Sequence, residues 1–162
     1  SLNENDIGDF KTFLKLSPPL RTEDDRLSLI QGIKENLIDV IVSDHLPEDE
    51  ESKRLPFAQA ATGAIGIETL LPLSLEMYHN ESLPLNKIIE TITINPSKIL
   101  KINKGSLKKG ADGDICIFDL EAPWKLDAEK LKSKSKNTAI EERKLQGKVL
   151  MTFMNGELVF SQ

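Results

Sequence analysis

The sequence has 162 residues, with 21 Lys and Arg against 26 Asp and Glu and a net charge of −5. At 39% apolar and 29% charged it suits a globular chain with a real core, and with no long basic block it is a poor nucleic-acid binder. No run of about 18 apolar residues reads as a membrane span, and no signal peptide is apparent. The single cysteine, Cys116, sits in the apolar run DICIFDL and reads as a lone buried thiol, which fits a reducing cytoplasm.

Residues 1–21 read as irregular, because Pro18 and Pro19 lack a backbone donor and restrict the residue before them. Thr22 then reads as a helix N-cap, with Glu23, Asp24 and Asp25 placing negative charge at the positive end of the helix. Leu27, Ile30, Ile33 and Leu37 recur at helical spacing, so a helix is predicted over 22–35. The apolar run 38–42 is short and flanked by polar turns, the pattern of a buried parallel strand. Residues 44–67 then make a connection roughly twice the usual length. It is charged at first (DEESKR) and ends in small residues and glycine (AATGAIGIE).

Helices are predicted over 68–79, with Pro72 tolerated in the first turn, and over 84–92. Asn95-Pro96 reads as the N-cap and first position of another short helix. From about residue 103 the chain becomes β-like. Residues 114–119 read as a strand, and strands over 146–154 and 158–160 flank the hairpin signal Asn155-Gly156. The basic stretch KLKSKSKNTAIEERK between them reads as a solvated loop. Helix, strand, helix, helix and then β elements is α/β-barrel grammar, but one or two strands cannot close a barrel. The chain therefore reads as the end part of something larger.

The run 38–42 delivers Ser43-Asp44-His45 at its end. Reactive groups gather at the carboxyl ends of parallel strands. A carboxylate at Asp44 could coordinate a metal, accept a proton from metal-bound water and return it to a leaving nitrogen. The plainer alternative is a turn former or cap. On an extended segment His45 should face away from Asp44, and His79, near a helix end, reads as structural. Gly63 and Gly66 either make a tight turn before a helix or open backbone N–H groups to a polar ligand. The stretch has neither the Lys-Ser/Thr of a P-loop nor a GxGxxG pattern.

Eight segments occur together in the order found in dihydroorotases of the amidohydrolase superfamily. They are SPPLR (17–21), Asp44-His45, LPF (55–57), GAIGIETLLPL (63–73), TINPSKIL (93–100), KGSLKKGADGDICIFD (104–119), SKSKNT (133–138) and LQGKV (145–149). The chain resembles the C-terminal third or more of such an enzyme. The resemblance implies an α/β fold, with 1–102 the C-terminal part of a metal-dependent (β/α)8 barrel and 103–162 the tail strands of a small β-sandwich. It implies zinc-dependent interconversion of N-carbamoyl-L-aspartate and L-dihydroorotate in de novo pyrimidine biosynthesis. Asp44 would bind metal and shuttle the proton, the backbone at Thr62 and Gly63 would contact the pyrimidine ring, and Ser17 would face the substrate pocket.

The chain departs from the family pattern in three places. Glu48 stands where the family commonly has the histidine that helps hold the substrate carboxylate, and one carboxylate facing another repels unless one is protonated. Ser17 replaces a frequent asparagine. The HxH motif, the bridging lysine and the two further histidine ligands of the family are absent from these residues, so the other zinc ligands would lie outside the chain and the 162 residues alone would be inactive. Two alternatives stay open. One is a non-catalytic dihydroorotase-like scaffold for aspartate transcarbamoylase. The other is a cyclic amidohydrolase of the hydantoinase or allantoinase type. The expected partners are a small-molecule substrate and either a second copy of the chain or the missing N-terminal part, with no nucleic acid and no membrane.

Overall fold

The computed structural model describes residues 1–80 and 82–162. They form two compact units, one of Ser1–Gly32, Val42–Leu70 and Lys125–Lys144, the other of Ile33–Ile41, Leu71–Trp124 and Leu145–Gln162. None of the helices is long and apolar enough to cross a membrane among the described residues.

The first unit opens with two 3₁₀ turns, Glu4–Ile7 and Thr12–Leu14, and then enters helix α1, Glu23–Lys34. Thr22 caps α1 as expected. Its Oγ1 accepts from the Asp25 N–H at 3.1 Å, and the Asp25 carboxylate accepts from the Thr22 N–H at 3.3 Å, so two orphan donors are satisfied reciprocally. The apolar stripe of this helix is only partly covered: Ile33 is buried and Ile30 half-buried, while Leu27 is exposed. The long connection after residue 44 contains a short helix that the sequence did not announce, α2, Glu50–Lys53. Leu14, Ala60, Ile65, Leu126, Ala128 and Ile140 are the buried apolar residues here, together with the polar Lys53, Thr69, Asn137 and Thr138.

Glu23 also gathers Asn3 Nδ2 at 2.8 Å and both Nε and Nη2 of Arg26, at 2.8 and 2.5 Å. The Arg26 hydrogen bonds, followed by that of Asn3, lower its pKa from 4.5 to about 2. A carboxyl lowered in this way stabilises the fold above its unfolded value and loses that contribution as pH falls from 4.5 towards about 2. Arg26→Gln is therefore expected to lower the melting temperature near neutrality, with the difference from the wild type shrinking as pH falls through that window, so that the acid limb of the variant is flatter. An identical acid limb in both proteins would show that the cluster is not linked to folding.

The second unit holds helices α3 (Leu70–His79, entered from the last residue of the first unit), α4 (Leu85–Ile92) and α5 (Ile94–Leu100). It also holds a three-stranded sheet ordered β1 (Ile115–Lys125), β2 (Lys144–Met154), β3 (Glu157–Ser161). Leu75 and Ile88 are fully buried, and α4 packs on α5. Asn95 is not the N-cap of α5. The helix starts two residues earlier than expected, at Ile94 with Thr93 as N-cap, and the Asn95 side-chain amide instead donates to the Asp39 carbonyl at 2.9 Å, a tertiary bond that outcompetes the local cap. The hairpin falls as expected. Asn155 and Gly156 both have positive φ, 52° and 82°, the backbone that matches a two-residue turn to strand twist, and Met154 pairs with Glu157. The Asp114 carboxylate holds the tip by accepting the Asn155 N–H at 2.8 Å.

Two further expectations fail. Residues 38–42 join no sheet among the described residues, and their one backbone bond to a described residue runs from the Ile41 N–H to the Thr91 carbonyl at 3.1 Å. A strand exists only through a ladder with a neighbour, and no described residue supplies one. Cys116 is exposed rather than buried. It lies near the start of β1, where the first three residues are all exposed and the in-out alternation begins only at Phe118. Partial burial of the sulfur still pushes the thiol pKa up, with a hydrogen bond from Thr152 acting the other way.

Candidate active site

At the end of the 38–42 run the backbone turns at Asp44, which has a φ of 42°. Asp is among the few L-residues that visit this left-handed region readily, because its short side chain bonds locally. Its carboxylate is exposed and makes no hydrogen bond or ion pair with another described residue. His45 takes a different role. Its Nδ1 accepts the N–H groups of Gly66 at 3.1 Å and Ile67 at 3.4 Å. With these two bonds His45 caps the 3₁₀ turn Ile67–Thr69 that leads into α3. His45→Ala is expected to cost about 1 kcal/mol, the usual worth of a cap, and His45→Asn to recover part of it, read by thermal melting. Equal losses for both variants would mean that ring packing matters here and the cap does not.

Glycine is required twice beside this turn. A Cβ on Gly66 would lie 2.6 Å from the Ser43 carbonyl oxygen, and Gly63, at a φ of 131°, would drive one to 2.5 Å from the Leu46 side chain. These close approaches bring the 43–46 and 63–66 segments into register, and the Leu46 N–H donates to the Ala64 carbonyl at 2.9 Å.

Asn137 joins the same segments. It is 2% exposed, and its Nδ2 donates to the Leu46 carbonyl at 3.1 Å and the Gly63 carbonyl at 3.3 Å. Its Oδ1 accepts the Glu48 N–H at 3.2 Å, and its own carbonyl accepts the Ile65 N–H at 3.2 Å. On the other side the Gly63 N–H donates to the Lys15 carbonyl at 2.9 Å, two residues before Ser17, which is exposed. Lys15 Nζ in turn donates to the Ala58 and Ala60 carbonyls.

Ser17, Asp44, Glu48, Thr62 and Gly63 thus all lie in the first unit, on segments laced together by backbone and side-chain bonds. Both the N–H and the C=O of Gly63 are engaged internally, whereas Thr62 makes no hydrogen bond with another described residue. Glu48 is half-buried, and its carboxylate acts electrostatically on the Lys53 ammonium.

Sequence reasoning missed Lys53 and Asn137. Asn137 lies in the SKSKNT run, read there as a solvated loop, yet Glu68 accepts the Lys132 and Ser133 N–H groups at 2.8 and 3.2 Å and holds that loop in place. The one sequence signal was an uncharged Asn-Thr pair closing a basic run.

Among the described residues no group of three or more His, Cys, Asp or Glu side chains could hold a metal ion.

Residues 14–159 match the amidohydrolase family, and the chain belongs to it. Members of this family generally use a metal. The chain is similar to proteins named dihydroorotase, at 45% identity over 99% of the chain in Ehrlichia chaffeensis and 41% over 98% in Acetivibrio thermocellus. It spans 36% and 37% of the length of these two relatives. Among solved structures, the L-hydantoinase (dihydropyrimidinase) of Arthrobacter aurescens is similar over 99% of the chain and 37% of its own, with a TM-score of 0.92 and 28% identity. The dihydropyrimidinase of Brevibacillus agri NCHU1002 shares the fold at a TM-score of 0.89 and 23% identity, over 99% of the chain and 37% of its own.

Proposed function

We propose that this chain is the C-terminal portion of a dihydroorotase, a cytoplasmic enzyme of pyrimidine synthesis that interconverts N-carbamoyl-L-aspartate and L-dihydroorotate. The observation that carries the reading is the identity of 45% across 99% of the chain to a protein of that name, against 28% to the hydantoinase. In this reading residues 1–102 belong to a (β/α)8 barrel and 103–162 to a small β-sandwich. Zinc is the metal, with Asp44 one of its ligands and the others outside these 162 residues, so the chain alone is inactive.

Asp44 moves the proton to and from the ring nitrogen. Its exposure and its freedom from described partners support that role, since a general base needs an uncommitted lone pair. The ring contact falls to the Thr62 backbone more than to Gly63, whose peptide groups are already bonded. Ser17 and Glu48 line the substrate site, and the Lys53 ammonium offsets part of the repulsion between Glu48 and a substrate carboxylate. The protein associates with a second copy or with the remainder of the enzyme. The exposure of Leu37, Leu100 and Leu107 in the second unit, between 67% and 84%, supports such association, because large apolar side chains left this open to water are stabilised by burial against a partner.

The test is ring opening and closure of dihydroorotate by the complete protein with zinc supplied, followed by ultraviolet absorbance. Turnover is expected. A folded, zinc-supplied protein that leaves dihydroorotate intact and opens hydantoins would establish the second reading, a hydantoinase-type enzyme, which the TM-score of 0.92 favours. Inactivity towards both would point to a scaffold for aspartate transcarbamoylase, the reading that Glu48 favours.

A further inference from the structure

Lys53 is a charged side chain with no exposure to solvent at all. It closes the short helix α2, and its Nζ donates to the carbonyls of Gly63 at 2.9 Å, Ala61 at 3.0 Å and Lys15 at 3.4 Å. An ammonium has three donors, and each has an acceptor here. It forms no ion pair among the described residues. Burial pushes its pKa down, Glu48 pulls it back up, and Lys15 adds to the depression. Placing a cation among neutral carbonyls is costly unless every donor is satisfied, so the arrangement fixes the positions of those carbonyls closely.

Two of the acceptors flank Thr62. In a trans peptide the C=O and the following N–H point in opposite directions, and among the described residues the only cis bond is Ser17–Pro18. With the Ala61 and Gly63 carbonyls turned towards the ammonium, the Thr62 and Ala64 N–H groups are turned away from it. Neither N–H donates to another described residue. Asn137 completes the second oxygen of this set by donating to the Gly63 carbonyl as well.

We propose that Lys53 is a positioning residue of the substrate site: by holding the Ala61 and Gly63 carbonyls on one side, it aims the Thr62 and Ala64 N–H groups at a carbonyl oxygen of the cyclic amide on the other. The substrate class rests on the dihydroorotase reading; the orientation of the two peptide planes does not.

The test uses the complete protein with Lys53→Met, which keeps the apolar stem, and Lys53→Gln, which keeps two donors and is the milder change. In either folded variant, amide exchange is expected to accelerate at Ala61 and Gly63 and to remain unchanged in α3. KM for dihydroorotate is expected to rise by about tenfold to a hundredfold, the size that misplacement by about 1 Å produces, while kcat changes much less. A folded variant with a lowered melting temperature but wild-type KM and wild-type exchange at Gly63 has only lost stability, and overturns the proposal. If neither variant folds, the wild type decides: saturating L-dihydroorotate should slow exchange at Thr62 and Ala64, and no slowing there overturns the proposal. Should the wild type fail to bind or turn over dihydroorotate, the dihydroorotase reading falls by itself. The role of Lys53 is then settled by exchange alone, where acceleration confined to 61–64 supports it and an unchanged or uniformly altered pattern overturns it.

Discussion

Asp44→Asn, made in the complete protein, is expected to lower kcat by about a hundredfold to ten-thousandfold, the range that a positioned general base contributes. The fold should survive. Asp44 is exposed and has no hydrogen-bond partner among the described residues, so the change orphans no described group. Asn also tolerates the φ of 42° found there, which an alanine would not accept as readily. The pairing of lost turnover with an unchanged melting temperature is the informative result. A variant that keeps most of its activity would remove Asp44 from proton transfer, and one that loses both activity and melting temperature would return it to the plainer role of a turn former.

The second large effect belongs to stability. Asn137→Ala is expected to cost about 2 kcal/mol or more, because it leaves the Leu46 carbonyl and the Glu48 N–H without their partner, each worth ~1–3 kcal/mol when buried and unmet. The Gly63 carbonyl is protected, since it keeps Lys53 Nζ at 2.9 Å. Asn137→Asp separates donor from acceptor function. It retains an oxygen for the Glu48 N–H but turns another towards the Leu46 and Gly63 carbonyls. Asp is therefore expected to fare no better than Ala in urea denaturation. A stable Asp variant would mean that the Nδ2 contacts matter little and that the bond to Glu48 alone anchors the loop.

These two residues mark how much of the site was legible. Asp44 could be found because a carboxylate directly after an apolar run is a local pattern. Asn137 could not, because its partners lie 74 to 91 residues away and nothing local to SKSKNT marks it as buried. Lys53 was hidden for a related reason. In DEESKR it has the look of one more surface charge, and only the folding back of the 61–63 segment encloses it.

Local physics also decided the cap at Thr22 and the Asn155-Gly156 hairpin, where a few neighbouring residues contain the whole interaction. The same local reasoning failed at Asn95, where a bond to Asp39, 56 residues away, displaced a plausible cap. It failed again at Cys116, whose apolar neighbours suggested burial that the start of β1 does not provide.

By itself, then, the sequence determined the longer helices α1, α3 and α4, the hairpin and the family, because periodicity, capping and motif order are written between near neighbours or in fixed succession. Only the tertiary structure decided which polar groups are buried. It turned His45 into a cap and satisfied both ends of the Gly63 peptide. It also left Thr62 without an internal partner among the described residues. Each of those outcomes depends on hydrogen bonds between segments far apart in the chain, and the satisfaction of a buried donor or acceptor is a property of the space around it that no local pattern contains.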